Sequence, residues 1–214
     1  MSGGDTPHSL RWRSEDGTRI DEIYDAWASS YDAELKEQAG YCVPDVAVEV
    51  LSQFGGPGDE VLDAGVGTGL VGERLRALAY SRLTGIDISN RMLALAQAKG
   101  IYRALSRQTL GEPLEFPSAF FDAVICVCVL GPTHAPAHTF DQLIRVTKPG
   151  GHVVFTLRAD ETAPGTDFGR RLRDCPGWTR VAERGPFVGF PTGERSELQF
   201  YVWAFRVGPE IRDC

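Results

Sequence analysis

Hydrophobic residues in this chain form short apolar runs, separated by segments with helical periodicity. The runs predict strands at 60–64, 83–86, 104–108, 121–127 and 152–157. The periodic segments predict helices at 20–36, 45–54, 70–79, 91–99 and 139–147. Regular alternation of strand and helix is typical of a doubly wound α/β sheet with parallel strands. Beyond residue 158, further strands are predicted at 178–183 and 198–207, the latter with alternating apolar positions.

The turn after the first predicted strand carries three alternating glycines, Gly65, Gly67 and Gly69. Glycines let the backbone lie against a ligand, and the following helix presents unpaired N–H groups. A dinucleotide site requires G-x-G-x-x-G, but Leu70 stands where the third glycine would be. No Gly-Lys pair of a phosphate-binding loop occurs either. Because Asp63 precedes the glycines and would repel phosphate, the turn favours a ligand with a cationic amine.

Asp87 ends the second predicted strand, 22 residues after Gly65 (87 − 65). A carboxylate at this position can accept hydrogen bonds from both hydroxyls of a ribose, a role it also has in nicotinamide sites. The alternative is a helix cap, although Ser89 or Asn90 already serves that purpose. Asp87 therefore indicates a cofactor that contains a ribose, but it does not identify which cofactor.

The run from Asp63 to Gly69 resembles motif I of the class I S-adenosylmethionine-dependent methyltransferases. A Gly-Ile-Asp-Ile-Ser turn, a Phe-Asp-Ala-Val strand and a Lys-Pro-Gly-Gly turn follow in the family's order, so the resemblance extends over 61–158. Within the superfamily, residues 83–110 and the Arg-Val-Thr-Lys-Pro-Gly-Gly run are similar to the methyltransferase-like proteins of the Williams-Beuren region. The resemblance implies a Rossmann-like, seven-stranded α/β sheet, mostly parallel with an antiparallel edge hairpin, and helices on both faces.

The resemblance further implies S-adenosyl-L-methionine as cofactor and S-adenosyl-L-homocysteine as its product. A lid helix would bring Tyr31, and then Tyr24, over the methionine end, although the same aromatic face could simply pack in the core. Thr109 stands where many relatives have an acidic or amide residue for the adenine. The residues expected to bind the cofactor are Tyr24, Tyr31, Asp63, Gly65, Gly67, Thr68, Gly69, Asp87, Ile88, Met92, Thr109, Leu110 and Val127.

His134 follows the fourth predicted strand, at the edge where ligands gather in open α/β sheets, and is the candidate catalytic base. An ordinary loop histidine is the alternative, since methyl transfer does not always require a base. We expect one domain, 1–214, comprising a lid (20–57), a cofactor-binding core (58–158) and an acceptor cap with edge strands (159–214). Within the cap, Arg170, Arg171 and Arg173 could bind an acceptor carboxylate or form a solvated helix face.

Composition narrows the range of partners. The net charge of −7 disfavours nucleic acid, which requires clustered basic residues. No apolar stretch approaches the roughly 20 residues that span a bilayer, and the first twenty residues are polar, so we expect a cytoplasmic protein without a membrane partner. Cys126 and Cys128 lie in a predicted buried strand without a second ligand pair, so no metal is expected.

These features favour a methyltransferase that acts on a small-molecule acceptor, as a monomer or weak dimer. Two alternatives remain. One is a protein that binds S-adenosylmethionine without turnover, since no residue is compelling as a catalyst. The other is a nicotinamide-dependent oxidoreductase, against which Leu70 argues.

Overall fold

The structure, a computed structural model, describes residues 19–38, 40–192 and 196–209. The strands, numbered along the chain, are β1 (Glu60–Ala64), β2 (Arg82–Asp87), β3 (Ala104–Arg107), β4 (Phe121–Cys126), β5 (Thr147–Arg158), β6 (Trp178–Val188) and β7 (Gln199–Val207). The α-helices are α1 (Ile20–Trp27), α2 (Val43–Leu51), α3 (Leu70–Ala77), α4 (Asn90–Ala98), α5 (Thr139–Val146) and α6 (Asp167–Asp174). None of the helices within these ranges is long and apolar enough to cross a bilayer.

The seven strands form one sheet in the order β3-β2-β1-β4-β5-β7-β6. Strands β1 to β5 run parallel, whereas β7 pairs antiparallel with both β5 and β6. The mostly parallel seven-stranded sheet with an antiparallel edge hairpin is therefore confirmed. Because the chain moves outward from β1 to β3 and then returns to β4, the strand order reverses between β1 and β4. Ligands of open α/β sheets bind at such a switch point, beyond the carboxyl ends of the strands.

Strand β4 lies in the centre of the sheet and is apolar on both faces. Ala123 and Ile125 join a cluster with α2 and α3, whereas Val124 and Cys126 join a cluster with α5 and α6 on the other face. All four residues are at most 3% exposed. A parallel strand covered by helices on both faces reads as a continuous apolar run, which is the pattern that predicted it.

An aromatic cluster joins the parallel part of the sheet to the edge hairpin. Phe155 of β5 lies 4.8 Å from Phe140 of α5 and 5.6 Å from Trp178 of β6, measured between ring centroids. It also stacks on Phe205 of β7 at 5.7 Å. Burial of these rings fixes the hairpin, and with it the far edge of the sheet, against α5.

The predicted helix over 20–36 is interrupted in the structure. Helix α1 ends at Trp27, a turn occupies 28–30, and the chain continues through a helical turn into a π-helical segment, Ala33–Gln38. At the turn, both the N–H and the hydroxyl of Ser30 bond to the carbonyl of Trp27, at 3.1 and 3.4 Å. Serine competes with the helix for backbone groups in this way, so the aromatic periodicity continues across a break that the pattern did not show.

Replacement of Phe155 by alanine tests the aromatic cluster. Phe155 is fully buried, so Phe155→Ala is expected to lower the free energy of unfolding by about 3–5 kcal/mol. Phe120→Ala is the matched control because Phe120 is 44% exposed, and its cost should stay below about 1 kcal/mol. Denaturant unfolding measures both, and equal losses would show that the cluster contributes nothing particular.

Candidate functional site

A cleft of about 670 Å³, open mouth included, lies beyond the carboxyl ends of the strands at the switch point. Residues from the N-terminal segment (20–35), the glycine loop (65–69) and the ends of β2, β3 and β4 contribute to its wall. The lining residues are Ile20, Tyr24, Tyr31, Gly65, Gly67, Asp87, Ile88, Met92, Gln108, Thr109, Leu110, Val127, Cys128, Val129, His134 and Ala135.

The glycine loop forms the floor of the cleft. Gly65, Gly67 and Gly69 have φ angles of 86°, 53° and 92°, in the region that favours glycine. A Cβ on Gly65 would lie 2.3 Å from the side chain of Val129, whereas nothing lies within 4 Å of the same position on Gly67. The loop is thus packed tightly below at Gly65 and open toward the cleft at Gly67, where a ligand could lie against the backbone.

Asp87 joins the glycine loop to the start of α4. Its Oδ2 accepts the N–H of Gly67 at 2.8 Å, and its Oδ1 accepts the N–H of Ser89 at 2.9 Å. Burial raises the pKa of this carboxyl, and these two hydrogen bonds oppose the rise. Each oxygen keeps a further lone pair for a ligand, so the residue fits two adjacent hydroxyls of a ribose.

One end of the cleft is largely apolar. Ile88, Met92 and Leu110 line it, and Met92 is only 1% exposed. Thr109 and Gln108 add the polar groups. The Gln108 amide already donates to Ser106 Oγ at 2.9 Å and accepts the N–H of Glu115 at 2.9 Å, so it is held in place. This end fits an adenine ring.

The other end lies where β4 stops. Val127, Cys128 and Val129 line it, and Tyr24 and Tyr31 cover it from the N-terminal segment. Cys128 has a φ of 56°, and its N–H donates to Thr156 Oγ1 at 2.7 Å. Burial raises the pKa of its thiol to about 11, so the thiol is protonated at neutral pH.

His134 is the only histidine among the lining residues. Its Nε2 lies 3.1 Å from Tyr24 Oη, and its Nδ1 lies 2.9 Å from Thr133 Oγ1. Burial, and then the charge of Arg158, lower its pKa to about 4, so the ring is neutral at pH 7. In this state His134 is a hydrogen-bonding group and only a weak base.

Three predicted cofactor residues, Asp63, Thr68 and Gly69, do not line the cleft. Asp63 is buried beside it and accepts a hydrogen bond from the hydroxyl of Tyr102 at 2.6 Å. The Thr68 hydroxyl donates to Asp32, and Gly69 caps the N-terminus of α3. The direct contact of these three residues with a cofactor stays a prediction.

Ile20, Gln108, Cys128, Val129 and Ala135 line the cleft without having been predicted. Gln108 and Cys128 are direct neighbours of the predicted Thr109 and Val127, and the apolar run of β4 continues through Val129. That continuity was the available signal. Ile20, at the start of α1, and Ala135, in the connection after β4, reach the cleft only through the tertiary path of the chain, which no local pattern records.

Three aspartates anchor the N-terminal segment around the cleft. Asp21 pairs with Arg107 of β3 at 3.0 Å, and Asp25 accepts the Ser89 hydroxyl at 2.5 Å. Asp32 accepts the Thr68 hydroxyl at 2.5 Å and pairs with Lys99 at 2.9 Å. The contacts fall on different parts of the rim, so they hold Tyr24 and Tyr31 in position over the cleft.

The proposed acceptor cap does not contribute to this cleft. Of the described residues 159–192, none lines it. Arg170 and Arg171 instead border a separate polar groove, where they pair with Asp167 and Asp141. Arginines already neutralised by carboxylates give little support to binding of an acceptor carboxylate.

Known proteins similar to this chain indicate which family its cleft belongs to. Residues 62–155 match the family described as a methyltransferase domain. Over 144 residues the chain is 43% identical to human methyltransferase-like protein 27, covering 65% of this chain and 58% of that protein. Within residues 62–155 the chain carries a methyltransferase domain. The family expected from the glycine motif and the turns that follow it is thereby confirmed, and the chain spans a little over half the length of the human relative.

Two further relatives extend the comparison. Demethylmenaquinone methyltransferase of Tropheryma whipplei (strain Twist) is 41% identical over 100 residues, covering 45% of this chain and 41% of that protein. The crystal structure of the [4+2]-cyclase SpnF superposes with a TM-score of 0.69 at 16% identity, covering 90% of this chain and 96% of that one. The methyltransferase fold is therefore shared with a protein named for a different reaction, and fold alone does not identify the reaction.

The site of the methyltransferase domain fits S-adenosylmethionine by three features of its own. These are the open space above Gly67, the paired oxygens of Asp87 and the apolar end around Met92. The paired oxygens match the ribose and the apolar end matches the adenine, while the space above Gly67 lets a ligand lie against the backbone.

Loosening of the N-terminal anchor should weaken cofactor binding. Asp21→Asn weakens the pairing with Arg107, whose Nε also donates to the Ile88 carbonyl at 2.8 Å in the cleft wall. We expect two- to fivefold weaker binding of S-adenosylhomocysteine by calorimetry and faster amide exchange over 20–35. Glu22→Gln removes the same charge from an exposed neighbour and should change neither quantity. Equal effects of the two variants would contradict the anchor.

Tyr31 provides a separate test of the lid. Tyr31→Phe is expected to weaken S-adenosylhomocysteine binding about two- to tenfold, because one hydrogen-bonding hydroxyl leaves the cleft wall while the ring stays. The unfolding temperature should hardly change. Tyr201→Phe, on the distant edge hairpin, is the control. Unchanged affinity by calorimetry would remove Tyr31 from the site.

Proposed function

We propose that this protein transfers the methyl group of S-adenosylmethionine to a small-molecule acceptor. The observation that carries the proposal is the position of Asp87. Its two carboxylate oxygens, held by the N–H groups of Gly67 and Ser89, face a cleft at the switch point of the sheet. This arrangement supports a ribose-bearing cofactor, and the family match supports S-adenosylmethionine in particular.

Different residues of the cleft bind different parts of the cofactor. Asp87 binds the ribose, and Ile88, Met92 and Leu110 enclose the adenine. Gly67 gives the ligand close access to the backbone. Val127 with Tyr24 and Tyr31 surrounds the methionine end, which lies toward β4 because the ribose and adenine lie toward β2 and β3.

When bound, S-adenosylmethionine supplies a methyl group already activated by its sulfonium, which an acceptor takes by in-line displacement. The protein has to hold the acceptor in line and exclude water. Tyr24 and Tyr31 cover the methionine end for that purpose. His134, neutral at pH 7, is hydrogen-bonded through Nε2 to Tyr24 and holds that hydroxyl beside the methionine end. Because His134 is only a weak base, it suits an acceptor that needs no deprotonation by the protein.

Several observations support a small-molecule acceptor. The cleft is enclosed by aromatic and aliphatic side chains, and Asp87 is the one carboxylate among its lining residues. The net charge of −7 disfavours nucleic acid. The Tropheryma whipplei relative is named for demethylmenaquinone, a small molecule. We further propose that the protein acts in the cytoplasm, without a membrane or nucleic-acid partner, as a monomer or weak dimer.

A ligand-binding series followed by a turnover assay tests the proposal. S-Adenosylhomocysteine is expected to raise the unfolding temperature, whereas NAD is expected to leave it unchanged. Asp87→Asn should weaken S-adenosylhomocysteine binding at least tenfold. Asp167→Asn, in the separate polar groove, is the control. Methyl transfer from labelled S-adenosylmethionine to a panel of small phenols, amines and thiols then tests catalysis.

The outcomes separate the rival functions. Stabilisation by NAD alone would contradict the proposal and favour an oxidoreductase. Binding of S-adenosylhomocysteine without transfer to any acceptor would favour a protein that holds the cofactor without turnover. If the wild-type protein transfers methyl groups but Asp87→Asn binds S-adenosylhomocysteine with unchanged affinity, the proposed activity stands and the assigned binding site is wrong.

A further inference from the structure

Tyr102 lies directly behind the glycine loop and is not part of any motif discussed above. It follows α4 and is 9% exposed. Its hydroxyl donates to Asp63 Oδ2 at 2.6 Å and accepts the N–H of Gly72, in the first turn of α3, at 3.1 Å. One phenol therefore connects the end of β1 to the start of α3, the two elements on either side of the glycine loop.

The close fit of Tyr102 depends on two glycines of α3 and its cap. A Cβ on Gly72 would lie 2.3 Å from Tyr102 Oη, and one on Gly69 would lie 3.3 Å from the ring. The glycine at position 72 thus has a local reason in this chain: it leaves room for the phenol. A Cβ at position 72 would approach the phenol to under 3.0 Å, so either the phenol or α3 would have to move. The positions of the phenol and of α3 therefore depend on each other.

The Asp63 carboxyl has little other support. It is 1% exposed, and within the described ranges its Oδ1 has no hydrogen-bond partner. The ionisable groups around it are Tyr102 from the α4–β3 connection, Asp87 from the end of β2 and Cys126 from β4. None of these carries a positive charge. A buried carboxylate with a single donor is unstable as an anion, and burial raises its pKa to about 7.

We propose that Tyr102 is a positioning residue for the methyl-donor site, whose hydroxyl holds Asp63 behind the glycine loop and allows it to carry a negative charge when a cationic ligand enters the cleft. The inference rests on the proposed function, because it takes S-adenosylmethionine as that ligand. Tyr102 itself does not line the cleft and acts only through Asp63 and α3.

The pH dependence of binding follows from the sign of the Asp63 shift. Below about pH 7 the carboxyl of the free protein is protonated, so a cationic ligand must displace that proton to obtain the favourable charge. Affinity for S-adenosylmethionine should therefore rise with pH through about 7, with release of protons on binding. S-Adenosylhomocysteine lacks the sulfonium charge and should depend less on pH.

Calorimetry between pH 5.5 and 8.5, in buffers of different ionisation enthalpy, measures both affinity and proton release. Tyr102→Phe removes the sole hydrogen-bond donor to the Asp63 carboxyl within the described residues, so the pKa of Asp63 should rise further. We expect a binding midpoint shifted upward by about one pH unit and therefore about fivefold weaker S-adenosylmethionine binding at pH 7. Tyr80→Phe is the matched control, because Tyr80 is 2% exposed and its hydroxyl has no partner within the described residues.

Asp63→Asn keeps the hydrogen bond to Tyr102 but does not titrate. The difference between its plot of affinity against pH and that of the wild type therefore separates the titration of Asp63 from that of Asp87 and of the ligand's own amino group. This variant also keeps the test valid if Tyr102→Phe does not fold. The inference is overturned if Tyr102→Phe follows the wild-type curve, if it is weakened equally at every pH, or if Asp63→Asn retains the wild-type pH dependence. Failure of wild-type protein to bind either ligand would instead contradict the proposed function itself.

Discussion

The carboxylate of Asp87 fixes the backbone on both sides of the cleft. Through the N–H groups of Gly67 and Ser89 it joins the glycine loop to the start of α4. Ser89 carries the connection further, since its hydroxyl caps α4 by accepting the Met92 N–H and donates to Asp25 of the N-terminal segment. The floor, the adenine side and the cover of the cleft therefore share one chain of hydrogen bonds, and an ordered chain of this kind gives a preformed site.

The cleft is otherwise poor in charge. Burial keeps the Cys128 thiol protonated and the His134 ring neutral at pH 7. Asp63, just behind the loop, stands near the midpoint of its titration at that pH. A cofactor with a sulfonium charge brings its own activation, so a site for it needs orientation and exclusion of water more than a strong base. The observed distribution of charge agrees with that requirement.

Much of the fold could be predicted from the sequence, because its signals are local. The β4 run is apolar from Ala123 to Cys126 since helices cover both its faces, and the glycines of the loop are required by φ angles that other residues avoid. Asp87 could be placed because the spacing from strand to strand is short and regular. The interruption of the first helix depends on a bond from Ser30 to Trp27, a contact that leaves no periodic signal.

The rest of the site depends on contacts between distant segments. Asp63 was expected to bind the cofactor. The structure shows its carboxyl hydrogen-bonded to Tyr102, 39 residues away, and its contact with a cofactor stays a prediction. The basic residues after 158 were candidates for acceptor binding, and the structure pairs Arg171 with Asp141 outside the cleft. In both cases the residue type was informative about charge, and only the tertiary structure determined which residue the side chain bonds to.

A crystal structure of the protein with S-adenosylhomocysteine tests the central claim most directly. The account predicts the ligand in the cleft between the glycine loop and β4, with both ribose hydroxyls within hydrogen-bond distance of the Asp87 oxygens and the adenine beside Met92. A ligand bound elsewhere, or one whose ribose makes no contact with Asp87, would contradict it.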